Sequence, residues 1–216
     1  YIFAKALKKM YPDNKATVNY QLANATYCGI GKIEVTEELV QKLNEEMRKI
    51  VKSDLPIEKK IMSRAEAEKF YEETKTARGK LQYDLKSNQK IEMYYCEDYF
   101  NYCYGILANH TGAIKIFEVI KYDKGLLLRY PSKEKPTQLP KLMQSRKIRW
   151  ALDEYNDIHK ILNINTVYKL NTATAEKRIK DVIMLDEALH EKKIANIADR
   201  IARNRKVKMV LIAGPS

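Results

Sequence analysis

An α+β domain over residues 1–131, followed by a mostly helical connector, is the fold class this sequence predicts. Three observations carry it. Apolar residues recur at helical spacing near the start of the chain and again from Ile148 onward. Between these stretches, residues 90–130 carry β-prone runs broken by glycine. The segment Pro131–Pro140 then places three prolines in ten residues, the signature of a linker.

The elements follow in order. Ile2, Phe3, Ala6, Leu7 and Met10 share one helical face, and Pro12 stops the helix because the residue before a proline disfavours the α region. Residues 16–35 read as extended, with Val18, Tyr20 and Leu22 alternating and a turn at Gly29–Gly31. Thr36 is a favourable N-cap, Glu37 and Glu38 suit the positive end of a helix dipole, and Leu39, Leu43, Met47 and Ile50 form the apolar stripe behind them. Ser63-Arg64-Ala65-Glu66 is a capping box that opens a second helix through about Tyr71. Strands are expected at Ile91–Tyr95, Ala113–Tyr122 and Leu126–Tyr130, with Gly125 in the turn between the last two. Beyond the linker, Ile148, Ala151, Tyr155, Ile158 and Leu162 mark one helix, and Ile194, Ile197, Ala198 and Ile201 mark another. A short extended segment is expected between them at Thr166–Leu170. Three spans result: 1–131, a helical connector over 132–205, and a strand with its following turn over 206–216.

Composition narrows the class. Of 216 residues, 45% are hydrophobic, enough for a sizeable core, and glycine (7) and proline (6) are too scarce for long disordered linkers. No run of 18 apolar residues exists, so no membrane span and no membrane partner are expected. The first residue is Tyr1 rather than Met, so a targeting segment ahead of it stays open. Cys28, Cys96 and Cys103 form no CxxC pair, and an odd count argues against a secreted disulfide framework; the expected compartment is the reducing cytoplasm. The net charge of +12 favours anionic partners. The lysines are spread along the chain, however, and a solvated basic surface explains them more simply. Local basic patches at Lys141, Arg146, Lys147 and Arg149, and at Arg200, Arg203, Arg205, Lys206 and Lys208, are the places where RNA contact is expected if it occurs. Tyr94, Tyr95, Tyr99, Phe100, Tyr102 and Tyr104 could stack bases, but a tyrosine-rich sheet packed on helices accounts for them better. His159 and His190 read as surface or packing histidines, and Asp186, Glu187 and Glu191 as helix-start acids rather than a metal site.

Two constellations bear on chemistry. The first is the ending: Met209–Ala213 is an apolar run suited to a buried strand, followed at once by Gly214-Pro215-Ser216. A phosphate-binding loop begins this way, because a glycine turn lets backbone N–H groups converge on phosphate oxygens. A strand entering an ordinary turn looks the same, and the lysine and hydroxyl that complete the motif are not among these residues.

The second is a resemblance. Residues 1–13, ending in Met-Tyr-Pro-Asp, residues 36–70 with Pro56, Ser63-Arg64 and Glu66-Ala67, and residues 103–119 with Thr111-Gly112, Lys115 and Phe117 resemble the editing domain of threonyl-tRNA synthetases. The resemblance covers roughly residues 1–122 and implies the second additional domain of threonyl- and alanyl-tRNA synthetases as the fold. That family holds metal through His-x-x-x-His and Cys-x-x-x-His. Here Cys103 matches, but Tyr1 and Leu107 stand where two of the histidines belong, and neither can replace an imidazole as a ligand. The resemblance therefore implies a degenerate domain with no metal and no catalytic residue, Cys103 being a lone remnant. His110 is close by at the wrong spacing.

The stretch from Gly125-Leu126-Leu127-Leu128-Arg129-Tyr130-Pro131 through Glu187-Ala188-Leu189-His190-Glu191-Lys192-Lys193-Ile194 to Gly214-Pro215-Ser216 resembles the linking region of bacterial uridine-kinase-like proteins, in which a synthetase-like region precedes a P-loop kinase. That resemblance implies an ATP-dependent uridine or cytidine kinase, with ATP and Mg held by a domain beyond these residues and Gly214, Pro215 and Ser216 as the start of its phosphate loop. The alternatives are an RNA- or nucleoside-binding module, or a trans-editing hydrolase of mischarged tRNA.

Overall fold

The computed structural model describes residues 1–73, 90–103, 105–143 and 146–214. They gather into two compact units, one within residues 1–150 and the other within 151–214.

In the first unit a helix α1 (Ile2–Met10) leads into a hairpin of β1 (Thr17–Leu22) and β2 (Ala25–Gly29), then α2 (Glu37–Lys52). Next come β3 (Glu58–Met62), α3 (Arg64–Glu73), β4 (Ile91–Cys96), β5 (Tyr99–Tyr102), β6 (Glu118–Tyr122) and β7 (Gly125–Arg129). Two antiparallel sheets result, ordered β1-β2-β7-β6 and β3-β4-β5.

The larger sheet shows how alternation builds the core. In β7, Leu126 and Leu128 pack with Cys28 against Phe3, Leu7, Leu39, Leu43 and Met47 of the two helices, while Leu127 and Tyr27 serve the opposite face. The apolar stripe of α2 is thus covered by α1 and the sheet together. Thr36 caps α2 as its sequence position requires, its hydroxyl accepting from the Leu39 N–H at 3.1 Å. Asn44, on the buried face of that helix, donates to the Val119 carbonyl at 2.7 Å and accepts from the Val119 N–H at 2.9 Å. Since β6 is an edge strand, this amide completes a backbone that no neighbouring strand serves.

The smaller sheet takes α3 on one face. The capping box forms: the Ser63 N–H donates to Glu66 at 2.7 Å and the Glu66 N–H to the Ser63 hydroxyl at 3.3 Å. Phe70 of α3 meets Phe100 edge-on at 4.6 Å between ring centres, and Tyr71 donates to the Met93 sulfur at 3.7 Å. The tyrosines of 94–102 therefore lie on strands facing a helix, while Tyr104 lies outside the described residues. Lys5 ties α1 to the β4–β5 turn. It is buried, donates to the Cys96 carbonyl at 2.9 Å and pairs with Glu97 at 3.0 Å.

Several expectations change. The hairpin turn between β1 and β2 falls at Ala23 and Asn24, ahead of a further turn at Gly31 (φ 68°); Ala23 takes a left-handed φ of 53°, which no glycine advertised. The strand expected from Ala113 begins only at Glu118, because Thr111–Ala113 form a single 3-10 turn. Two strands were not expected: β3, whose mostly exposed Glu-Lys-Lys-Ile-Met shows no apolar alternation, and β5.

Residues 132–150 pack with the first unit. Arg129 donates to the Pro140 carbonyl at 2.7 Å, and Asn24 to the Lys141 carbonyl at 2.6 Å. Arg149, at the start of α4 (Arg146–Ile161), is buried over the ring of Tyr27 at 4.7 Å and pairs with Asp123 at 2.6 Å. It is thereby withdrawn from the basic patch at 141–149.

The second unit comprises the remainder of α4, α5 (Val167–Ala175) and α6 (Ile179–Arg203), around Leu162, Ala173 and Val182. The extended segment expected at Thr166–Leu170 is instead the start of α5. The Thr-Val-Tyr run favours a strand, but the Thr166 hydroxyl accepts from the Lys169 N–H at 3.2 Å and caps a helix that buries Ala173. Residues 207–214 form no strand, and Met209 and Leu211 are exposed.

Candidate functional site

Tyr1 is about a hundred positions from Cys103 and Leu107 in the sequence, but all three meet in the fold. Tyr1 opens α1, Cys103 follows β5, and Leu107 lies in the loop beyond it. All three pack against a cluster of Ile57, Tyr94 and Cys96. The Tyr1 hydroxyl donates toward the Tyr99 and Tyr94 carbonyls at 3.0 and 3.1 Å, and its ring meets Tyr99 edge-on at 5.0 Å. Burial, with smaller contributions from Cys96, Tyr99 and Cys103, pushes this phenol far above its ordinary pKa, so Tyr1 stays neutral and acts as a hydrogen-bond donor. Among the described residues no group of three or more His, Cys, Asp and Glu is arranged to hold a metal. Tyr1, Cys103 and Leu107 thus share one apolar cluster, in which Cys96 supplies a second, buried thiol.

Tyr1 and Leu107 also line a cavity of about 170 Å³, together with Met47, Ile114, Phe117 and His110. His110 is one of the polar members of this wall, with Thr111 and the hydroxyls of Tyr1 and Tyr130. Its Nδ1 bonds Asp54 Oδ1, and the same carboxylate oxygen accepts from the Gly112 N–H at 3.1 Å. The hydrogen bond from His110, then its charge and the Gly112 amide, hold the Asp54 carboxyl below the usual carboxylate range.

The neighbouring backbone is equally constrained. Thr111 is fully buried, its hydroxyl donating to the Ile50 carbonyl at 2.8 Å and accepting from the Leu55 N–H at 2.9 Å. Gly112 leaves no room for a Cβ beside Asp54, which explains the glycine after that threonine. The pairing of His110 with Asp54 was not legible in the sequence: the two residues are 56 positions apart, and Asp54 sits in a left-handed turn (φ 49°) after α2.

The other candidate residues are not brought to this site. Gly214 is exposed in the second unit with nothing within 4 Å of where a Cβ would stand, and Pro215 and Ser216 lie outside the described residues. His190 is exposed, and His159 rests beside Tyr155 with 6.2 Å between ring centres.

Two antiparallel sheets flanked by helices, with this cavity at the start of α1, fit an α+β domain of the aminoacyl-tRNA synthetase kind. Comparison with known proteins agrees at that level. The chain is 33% identical over 140 residues to a threonine–tRNA ligase of Anoxybacillus flavithermus, which covers 64% of this chain and 22% of the ligase. It is 34% identical over 122 residues to the threonine–tRNA ligase of a Geobacillus species (56% and 19%) and 28% identical over 141 residues to that of Fusobacterium nucleatum (64% and 23%). The chain thus spans about a fifth of the length of the relatives it matches. No family model matches it. All three are threonine–tRNA ligases, which favours a tRNA-related reading over a nucleoside kinase. No helix is long and apolar enough to cross a membrane among the described residues.

Proposed function

We propose that residues 1–131 form a non-catalytic binding module for tRNA or a related RNA, built on a synthetase editing-like fold that no longer hydrolyses its ligand. One observation carries the reading. Tyr1 and Leu107 occupy two positions where the resembling family has metal-binding histidines, and they pack with Cys103 into an apolar cluster. An aliphatic side chain and a neutral phenol can neither hold a cation nor activate water. The net charge of +12 belongs to the whole chain, only a third of it to residues 1–131, and it suits an RNA partner for the 216 residues taken together. The test is to titrate the chain with tRNA at low and moderate salt and to incubate it with mischarged tRNA. The reading expects salt-dependent binding without deacylation. Hydrolysis above background, with contaminating enzyme excluded, refutes it.

A second reading keeps the kinase, and a specific observation favours it. Met209, Val210, Leu211 and Ile212 are 77, 47, 86 and 95% exposed, immediately before Gly214. Four consecutive apolar side chains in water suit a strand whose partners lie elsewhere. In this reading they open an ATP-dependent nucleoside kinase domain, and Gly214-Pro215-Ser216 begins its phosphate loop. In the natural polypeptide, Gly214→Val then abolishes ATP binding by crowding the loop backbone, while the first unit melts as before. Unchanged ATP affinity refutes the kinase.

A further inference from the structure

We propose that the cavity beside the start of α1 binds a single-ring aromatic ligand bearing one hydrogen-bond donor, with His110 as the acceptor at its polar end. The inference rests on reading this cavity as a binding site rather than a catalytic one, and it specifies the ligand.

Size sets the first limit. The cavity measures about 170 Å³. An apolar protein cavity of about 150 Å³ holds one benzene ring, so this one has room for a single ring. Met47, Leu107, Ile114 and Phe117 supply an apolar wall suited to an aromatic face and edge.

Chemistry sets the second. Most polar groups in the wall already have partners within the protein. The Tyr1 hydroxyl faces the Tyr94 and Tyr99 carbonyls, the Tyr130 hydroxyl bonds Thr26 at 3.0 Å and Gln21 at 3.2 Å, and the Thr111 hydroxyl is engaged twice. His110 differs. Asp54 holds its Nδ1, and a carboxylate there favours the tautomer with the proton on Nδ1, leaving Nε2 with its lone pair. Among the described residues no group bonds that Nε2. In that tautomer the imidazole can accept one hydrogen bond, and the apolar wall penalises any second polar group left without a partner. Phenols and azoles meet this description; carboxylates and alkyl amines do not.

The Asp54–His110–Gly112 clamp also keeps the ring in place before a ligand arrives, which reduces the cost of ordering it on binding. The charged groups beside the imidazole are Asp54 and, next to it, Lys115. The phenols of Tyr1 and Tyr130 share the cavity wall.

The test uses the 216-residue chain in NMR titrations with phenol and with toluene, which share shape and differ in the donor. Phenol is expected to shift Leu107, Ile114 and Phe117 and to bind about tenfold more tightly than toluene, the value of roughly one good hydrogen bond. His110→Phe keeps the ring volume and should erase the difference, whereas His110→Gln, which retains an acceptor, should keep part of it. In the wild type, anisole, which keeps the oxygen but lacks the donor, should bind no more tightly than toluene, so the result stands even if a variant misfolds. Deacylation of mischarged tRNA would separately overturn the non-catalytic reading. Equal affinity for phenol and toluene in the wild type, shifts confined to other residues, or a preference that survives His110→Phe overturns the proposal.

Discussion

Replacing Asn44 with leucine removes one amide from the buried face of α2, and the structure sets the size of the effect. Asn44 is 8% exposed and bonds both the N–H (2.9 Å) and the C=O (2.7 Å) of Val119, which is itself 1% exposed on the edge strand β6. Leucine roughly preserves volume, so cavity formation adds little. What remains is two buried backbone groups without partners, each costing about 1–3 kcal/mol. The expected loss is about 3 kcal/mol, which for a unit of this size lowers the melting temperature by roughly 10 °C. Because the chain has two units, the melt should be accompanied by amide hydrogen exchange. The Val119 amide should lose protection, while amides of α6 in the second unit should not change. The perturbation bears on the site because Met47, one turn further along α2, forms part of the cavity wall. A loss below about 1 kcal/mol together with unchanged Val119 protection would show that water or a shifted strand satisfies these groups, and the edge-pinning argument would fail.

Three further outcomes are expected. Gly125→Ala should destabilise the first unit by about 1–3 kcal/mol in denaturant titration, because a Cβ there would lie 2.5 Å from the Tyr27 hydroxyl and 2.7 Å from the Cys28 carbonyl; a neutral substitution would mean that the β6–β7 turn relaxes freely. Asp54 has a depressed pKa in the folded chain, so its contribution to stability is present above the ordinary carboxylate value of about 4 and disappears as the pH falls through the lower folded value. Acid titration of Asp54→Asn should accordingly lose part of the wild-type slope below about pH 4, and identical slopes would contradict the clamp. Elemental analysis of purified protein should find zinc well below one per chain, and one equivalent would demand ligands other than Tyr1 and Leu107, with Cys103 and His110 the first to examine.

Local signals were legible where one or two residues decide the backbone. Thr36 before two glutamates and the Ser63–Glu66 box each predicted a helix start, and each cap forms as written, because capping is a contact between residues three apart. The β1–β2 turn and the start of α5 were not legible. Ala23 is held left-handed by the strands on either side, and Thr166 is β-prone until the burial of Ala173 makes the helix worthwhile.

The site itself belongs to tertiary structure. No spacing announces that His110 meets Asp54, that Asn44 serves the backbone of Val119, or that Arg149 leaves a basic patch to lie over Tyr27. In each case a polar group is partnered by a residue more than fifty positions away, and only the closed fold brings the two within bonding distance. Composition and periodicity determined which faces had to be buried. The packing of α1 and α2 on the sheet then decided which polar groups were enclosed with them, because a buried donor or acceptor must take whatever partner the fold places beside it.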